Sequence, residues 1–169
     1  MSNYLRATRE CNVTQLRPEL QQALQSYFQS HDLGVLEQES LSCCETHSEK
    51  MVGSWLISWL DGNPDLEINS GIVLTGRSLV WVRVGSHSGV QAAGAELTDI
   101  RVKMIVTLLT KDPGLEIIGL PYGAKVFIRG LIALGPEPAS QKFCDEVTQA
   151  IEKVNPTPVR KWPAWMGRH

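Results

Sequence analysis

The stretch from Gly71 to Val84, GIVLTGRSLVWVRV, constrains the fold more than any other part of the chain. Two runs rich in Val, Ile and Trp, Gly71 to Thr75 and Ser78 to Val84, flank the pair Gly76-Arg77. β-Branched and aromatic residues fit a pleated, half-buried surface, and a Gly-X pair closes a two-residue turn. The spacing predicts an antiparallel hairpin. Trp81 then contributes to packing in the sheet core or against a closing helix, because a large aromatic on a half-buried strand dominates local burial.

The remaining pattern places this hairpin in a β-rich domain with helices at its edges. Leu16, Leu20, Ala23, Leu24, Tyr27 and Phe28 recur at helical spacing behind Thr14, which can cap a helix ending near His31 to Gly34. Val35 to His47 reads as a first strand. Residues 52–60 fit either a strand or a short helix, with a lean to the helix, and Asp61-Gly62-Asn63-Pro64 stops them. A loop rich in Gly, Ser and Ala (VGSHSGVQAAG) is expected after the hairpin, followed by β segments at Glu96 to Leu109, Leu115 to Leu120 and Lys125 to Leu134. Ser140 offers a cap for a helix whose Phe143, Val147, Ala150, Ile151 and Val154 form one stripe. Three prolines then exclude regular structure from the tail.

The fold class is therefore α+β: an antiparallel β-rich unit with a C-terminal capping helix and an extra N-terminal helix. The boundaries are a helical extension over 1–34, the β domain over 35–154 and a Pro/Trp-containing tail over 155–169. A chain of 169 residues buries a sizeable core. A net charge of −2 lacks the basic footprint of nucleic-acid binding. No stretch approaches the roughly 20 apolar residues of a membrane helix, and the start lacks a secretory h-region. A cytoplasmic protein with four reduced cysteines is expected.

The hairpin words Leu74-Thr75-Gly76-Arg77-Ser78-Leu79-Val80-Trp81 and the later Leu97-Thr98-Asp99-Ile100 are similar to strands of bacterial pleckstrin-homology-like and GRAM-like domains. The order of elements, antiparallel strands and then one helix, resembles that superfold as well. The resemblance implies a barrel or sandwich over about residues 35 to 154. Such folds host lipid, phosphopeptide and protein ligands alike, so the fold alone does not choose among them; the expectation of a non-enzymatic module that binds a protein or peptide partner rests on the missing catalytic motifs. Lipid-binding members carry a basic first hairpin. Here Glu37, Glu39, Glu45 and Glu49 stand in the first strand with only Lys50 beyond, so a membrane lipid is not favoured. Arg77, Arg83, Arg101, Lys103 and Arg129 either converge on one face or form a solvated outer face.

The sharpest chemical cluster is LSCCETHSE, residues 41–49. Cys43 and Cys44 are neighbours on a strand and point to opposite faces, so both cannot readily reach one metal. Cys43, Glu45 and His47 share a face, and Cys11, Cys144 or His87 would have to complete a ligand set. A Cys-His nucleophile needs hydrogen-bond reach, whereas residues i and i+4 on a strand lie roughly 13 Å apart. Buried, inert cysteine is the favoured reading. No nucleotide, metal or hydrolase signature appears in the sequence, so no catalytic, cofactor-binding or metal-binding residue is assigned. The alternative is a small enzyme or ligand-binding protein with a pocket using Cys43, His47 or Cys144. In the tail, Arg160, Lys161, Trp162 and Trp165 are the partner-binding candidates. They either dock in a groove of a partner or of a second copy, which would make a homodimer, or fold back onto the sheet.

Overall fold

The computed structural model describes residues 4–51, 64–106 and 113–155. Among the described residues, eight strands form two antiparallel sheets. The large sheet runs in the order β1 (Tyr4–Glu10), β2 (Ser40–Lys50), β3 (Glu67–Thr75), β4 (Ser78–Gly85) and β5 (Gly89–Glu96). The small sheet runs β6 (Ile100–Val106), β7 (Pro113–Gly119) and β8 (Ile128–Ala133). Helix α1 (Pro18–Ser30) and the short helix α2 (Leu36–Glu39) lie between β1 and β2, and α3 (Pro138–Val154) follows β8.

Strand alternation gives the large sheet two covered faces. One face receives α1: Leu20, Leu24, Tyr27 and Phe28 pack with Cys43, Val73, Val80 and Val82. The other faces the small sheet and α3: Cys44, Ile72, Leu79 and Ala95 pack with Leu115, Ile117, Phe143 and Val147. Two apolar layers thus sandwich β2 to β4, which is why β3 and β4 carry the continuous apolar runs Ile72-Val73-Leu74 and Leu79-Val80-Trp81-Val82. Gly94 lets α1 approach closely, since a Cβ there would lie 3.0 Å from the Tyr27 ring. Among the described residues no helix is long and apolar enough to cross a membrane.

The α+β class, the two antiparallel sheets and the C-terminal helix agree with expectation. The barrel does not. The sheets are separate hydrogen-bonded ladders, and the corner from β5 to β6 is a 3-10 turn over Leu97–Asp99. Near the other edge, the Gly135 amide bonds the Thr8 hydroxyl at 2.7 Å rather than a strand backbone.

Several boundaries differ for local reasons. The hairpin forms with Leu74 opposite Leu79, but Gly76 is not at positive φ as a Gly-X turn requires. Instead the Thr75 hydroxyl accepts the amides of Arg77 and Ser78 at 3.2 and 2.9 Å, closing the turn from a side chain. The expected Gly/Ser/Ala loop is mostly strand β5. It begins at Gly89, whose φ of +69° completes a tight connection from Gly85.

Leu36–Glu39 are helical before β2 begins, and β8 starts at Ile128 rather than Lys125. Thr14 lies in a 3-10 turn, and α1 instead opens on Pro18, pre-set for a first helical position. Ser140 likewise sits inside α3, where its hydroxyl donates to the Gly135 carbonyl at 2.8 Å. Strand β1 has no counterpart in the sequence pattern. Trp81 is half-buried against the core between the sheets, as anticipated. Residues 52–60 and the tail with Arg160, Lys161, Trp162 and Trp165 lie outside the described residues.

Candidate functional site

Register fixes which side chains face the gap between the sheets. One row across the large sheet is Arg6, Ser48, Ile68 and Gly85; the next is Thr8, Thr46, Ser70, Arg83 and Gln91; the third is Glu10, Cys44, Ile72, Trp81 and Ala93. Helix α3 covers the sandwich at the Glu10 and Cys44 end, where Lys142 pairs with Glu10 at 2.6 Å. At the opposite end lies a cleft of about 350 Å³. Its lining includes Arg6, Ser48, Trp81, Arg83, Gln91 and, from β8, Leu131.

Arg83 is positioned from below. Asp65 is fully buried and holds the Arg83 Nη2 at 3.0 Å. The same carboxylate accepts the amides of His87 and Ser88 at 2.7 and 2.8 Å and the Ser88 hydroxyl at 2.7 Å. Burial pushes the Asp65 pKa up, but these donors and the Arg83 charge outweigh it and hold the value at about 2. Asp65 therefore stays ionised and fixes one side of the guanidinium. The Arg83 Nε is buried and has no hydrogen-bond partner among the described residues. Leaving such a donor unmade costs about 1–3 kcal/mol, so the cleft holds a cation with spare donor capacity. Tyr4 frames the mouth: its hydroxyl donates to the Asp65 carbonyl at 2.7 Å, and the Arg6 guanidinium stands 5.5 Å from its ring centre.

Such an arrangement can bind an anionic oxygen beside an apolar group. Arg83 supplies charge and a directional N–H, Trp81 an aromatic face, and Ala92 and Ala93 leave room.

The other cations do not join this site as a set. Arg101 and Arg129 share a row on the outer face of the small sheet across Ile118, with Lys103 and Glu116 in the next row. Arg129 bonds Glu116 there at 2.7 Å. Arg77 lies in the β3–β4 turn.

Cys43 and Cys44 do point to opposite faces of β2, into the α1 layer and the α3 layer respectively. Glu45 is buried with a role: Arg9 and Arg17 side chains each approach it at 3.0 Å, and the Arg17 amide bonds it at 3.2 Å. His47 pairs its Nδ1 with the Asn69 side chain at 2.8 Å. Cys144 sits with Cys44 in the opposite layer. Cys43, His47 and Cys144 are thus not brought together. No group of three His, Cys, Asp or Glu side chains suited to a metal occurs among the described residues. Of the residues named to complete a set with Cys43, Cys11 is the one the structure brings to it, with its Sγ 3.7 Å from that of Cys43, a contact that the sequence does not show. Only the β1–β2 pairing could have revealed it.

Comparisons of this chain with protein-family models, curated proteins and solved structures find no match.

Proposed function

We propose that the chain is a non-catalytic interaction module of pleckstrin-homology-like architecture that takes an acidic peptide segment of a partner protein in its end cleft. The observation that carries this reading is Arg83, anchored by Asp65 yet retaining a buried, unused Nε–H beside Trp81. Four strands β2 to β5, three strands β6 to β8 and a closing helix support the architecture. A carboxylate of the partner accepts from Arg83, and a neighbouring apolar side chain rests on Trp81 and Ile132. Leu131 is 48% exposed, and Met51 and Leu66, near the Tyr4 end of the large sheet, are 45% and 62% exposed. Exposed apolar side chains near the cleft suit a polypeptide.

The test is an NMR titration of the full chain with a capped peptide of alternating glutamate and leucine, against a glutamine-for-glutamate control. Saturable shifts at the Trp81 indole and the Arg83 Nε, absent with the control, are expected. Leu131→Glu, which sets a like charge on the rim, and Ala93→Leu, which fills the cleft, should each weaken binding at least about ten-fold, about 1.4 kcal/mol. Equal shifts from both peptides, shifts confined to other surfaces, or no saturable shift would overturn the proposal.

A further inference from the structure

Outside the end cleft, Cys11 and Cys43 bring two thiols into contact. The Cys11 amide donates to the Cys43 carbonyl at 3.1 Å, directly beyond the Glu10–Cys44 pair that ends the β1–β2 ladder. Residues opposite each other in an antiparallel ladder have Cα atoms roughly 4.5–5.5 Å apart, inside the window a disulfide spans. The sulfur atoms are already in contact at 3.7 Å. Both residues line an open surface depression with Asn12 and Ser42, through which a small oxidant reaches Cys11. Cys11 is half-buried while Cys43 is buried, giving one accessible and one recessed sulfur.

We propose that Cys11 and Cys43 form a reversible disulfide with hydrogen peroxide as oxidant, Cys11 attacking first and Cys43 resolving. In the first step the Cys11 thiolate attacks one peroxide oxygen. The O–O bond breaks, and hydroxide leaves and takes up a proton, leaving a sulfenic acid on Cys11. In the second, the Cys43 sulfur attacks the Cys11 sulfur, and the sulfenic hydroxyl departs as water with the proton from Cys43. Two thiols are oxidised by two electrons, and one peroxide becomes two waters. A small dithiol reverses the reaction.

The polarity of the pair supports this order. The hydrogen bond from Cys43 lowers the Cys11 pKa most; burial opposes it, Arg9 assists, and the charges of Glu45 and Glu10 oppose. Cys43 is shifted upward by the same hydrogen bond and by burial. Cys44 is held up mainly by burial, and burial raises Cys144 to about 11, so neither competes as a nucleophile.

The experiment treats the reduced full chain with peroxide, blocks remaining thiols with N-ethylmaleimide after denaturation, and maps peptides by mass spectrometry. The expected result is a single Cys11–Cys43 linkage, with Cys44 and Cys144 still free. Reduction by dithiothreitol should restore all thiols. In the untreated native protein, iodoacetamide should label Cys11 at least about ten-fold faster than Cys44 or Cys144. Cys11→Ser should abolish the linkage and leave Cys43 free. A linkage between other cysteines, four free thiols after treatment that oxidises unfolded chain, or Cys11 labelling no faster than Cys144 would each overturn the proposal.

Discussion

Replacing Asp65 with Asn tests whether the floor of the cleft is built by charge. Asp65 offers Oδ1 to the His87 and Ser88 amides and Oδ2 to the Ser88 hydroxyl and Arg83. Asparagine keeps one acceptor and turns an NH2 toward Arg83, so the guanidinium loses its counter-charge. Hydrogen bonds to charged groups contribute about 1.5–3 kcal/mol each, and breaking a buried ion pair costs about 3–5 kcal/mol. The Arg83 side chain is 35% exposed, so solvent screens part of this. A net loss of about 3 kcal/mol follows, or a Tm lower by roughly 6–12 °C for a chain of this size.

Lowering the pH should erase part of that difference. The Asp65 pKa is depressed on folding, from an ordinary 3.8 to about 2. Its contribution is therefore present above pH ~5 and is lost as pH falls toward 2, amounting to about 2 kcal/mol in all. Urea unfolding followed by circular dichroism at pH 6 and pH 3 should show the gap between native protein and Asp65→Asn shrinking by about 1 kcal/mol. A Tm change under about 2 °C, or a gap equal at the two pH values, would refute the reasoning.

Glu45→Gln removes the charge shared by Arg9 and Arg17, the groups that fasten β1 and the start of α1 to β2. Thermal melts should fall by roughly 4–8 °C, matching a loss of about 2 kcal/mol; an unchanged melt would mean that solvent already screens the network. Phosphoinositide-bearing vesicles should co-float the protein no better than neutral ones, because β2 carries Glu45 and Glu49 just after Glu37 and Glu39. Strong, salt-sensitive co-flotation would contradict this and turn attention to Arg101, Lys103 and Arg129.

The fold was legible in sequence wherever an inward-facing row is apolar. Leu20, Leu24 and Phe28 announce α1, Phe143 and Val147 announce α3, and Leu79 and Trp81 announce β4, because burial demands the same periodicity that the backbone imposes. Strand β1 was hidden because its inward residues are Tyr4, Arg6, Thr8 and Glu10, while Leu5 is 67% exposed. Its hydrogen bonds to β2 hold it in place. Strand β5 was hidden because Ala93 and Gly94 are small, being fitted against Trp81 and Tyr27. The same reversal conceals the cleft. Thr8 and Thr46 can face inward because their hydroxyls bond each other at 2.8 Å, and Arg83 can because Asp65 neutralises it. These partners lie between 18 and 38 positions apart in sequence, so no local window contains them. Where the inner face turns polar, the rule that inward means apolar fails; here it fails along the strands that line the cleft, and that is where a binding site has donors to offer.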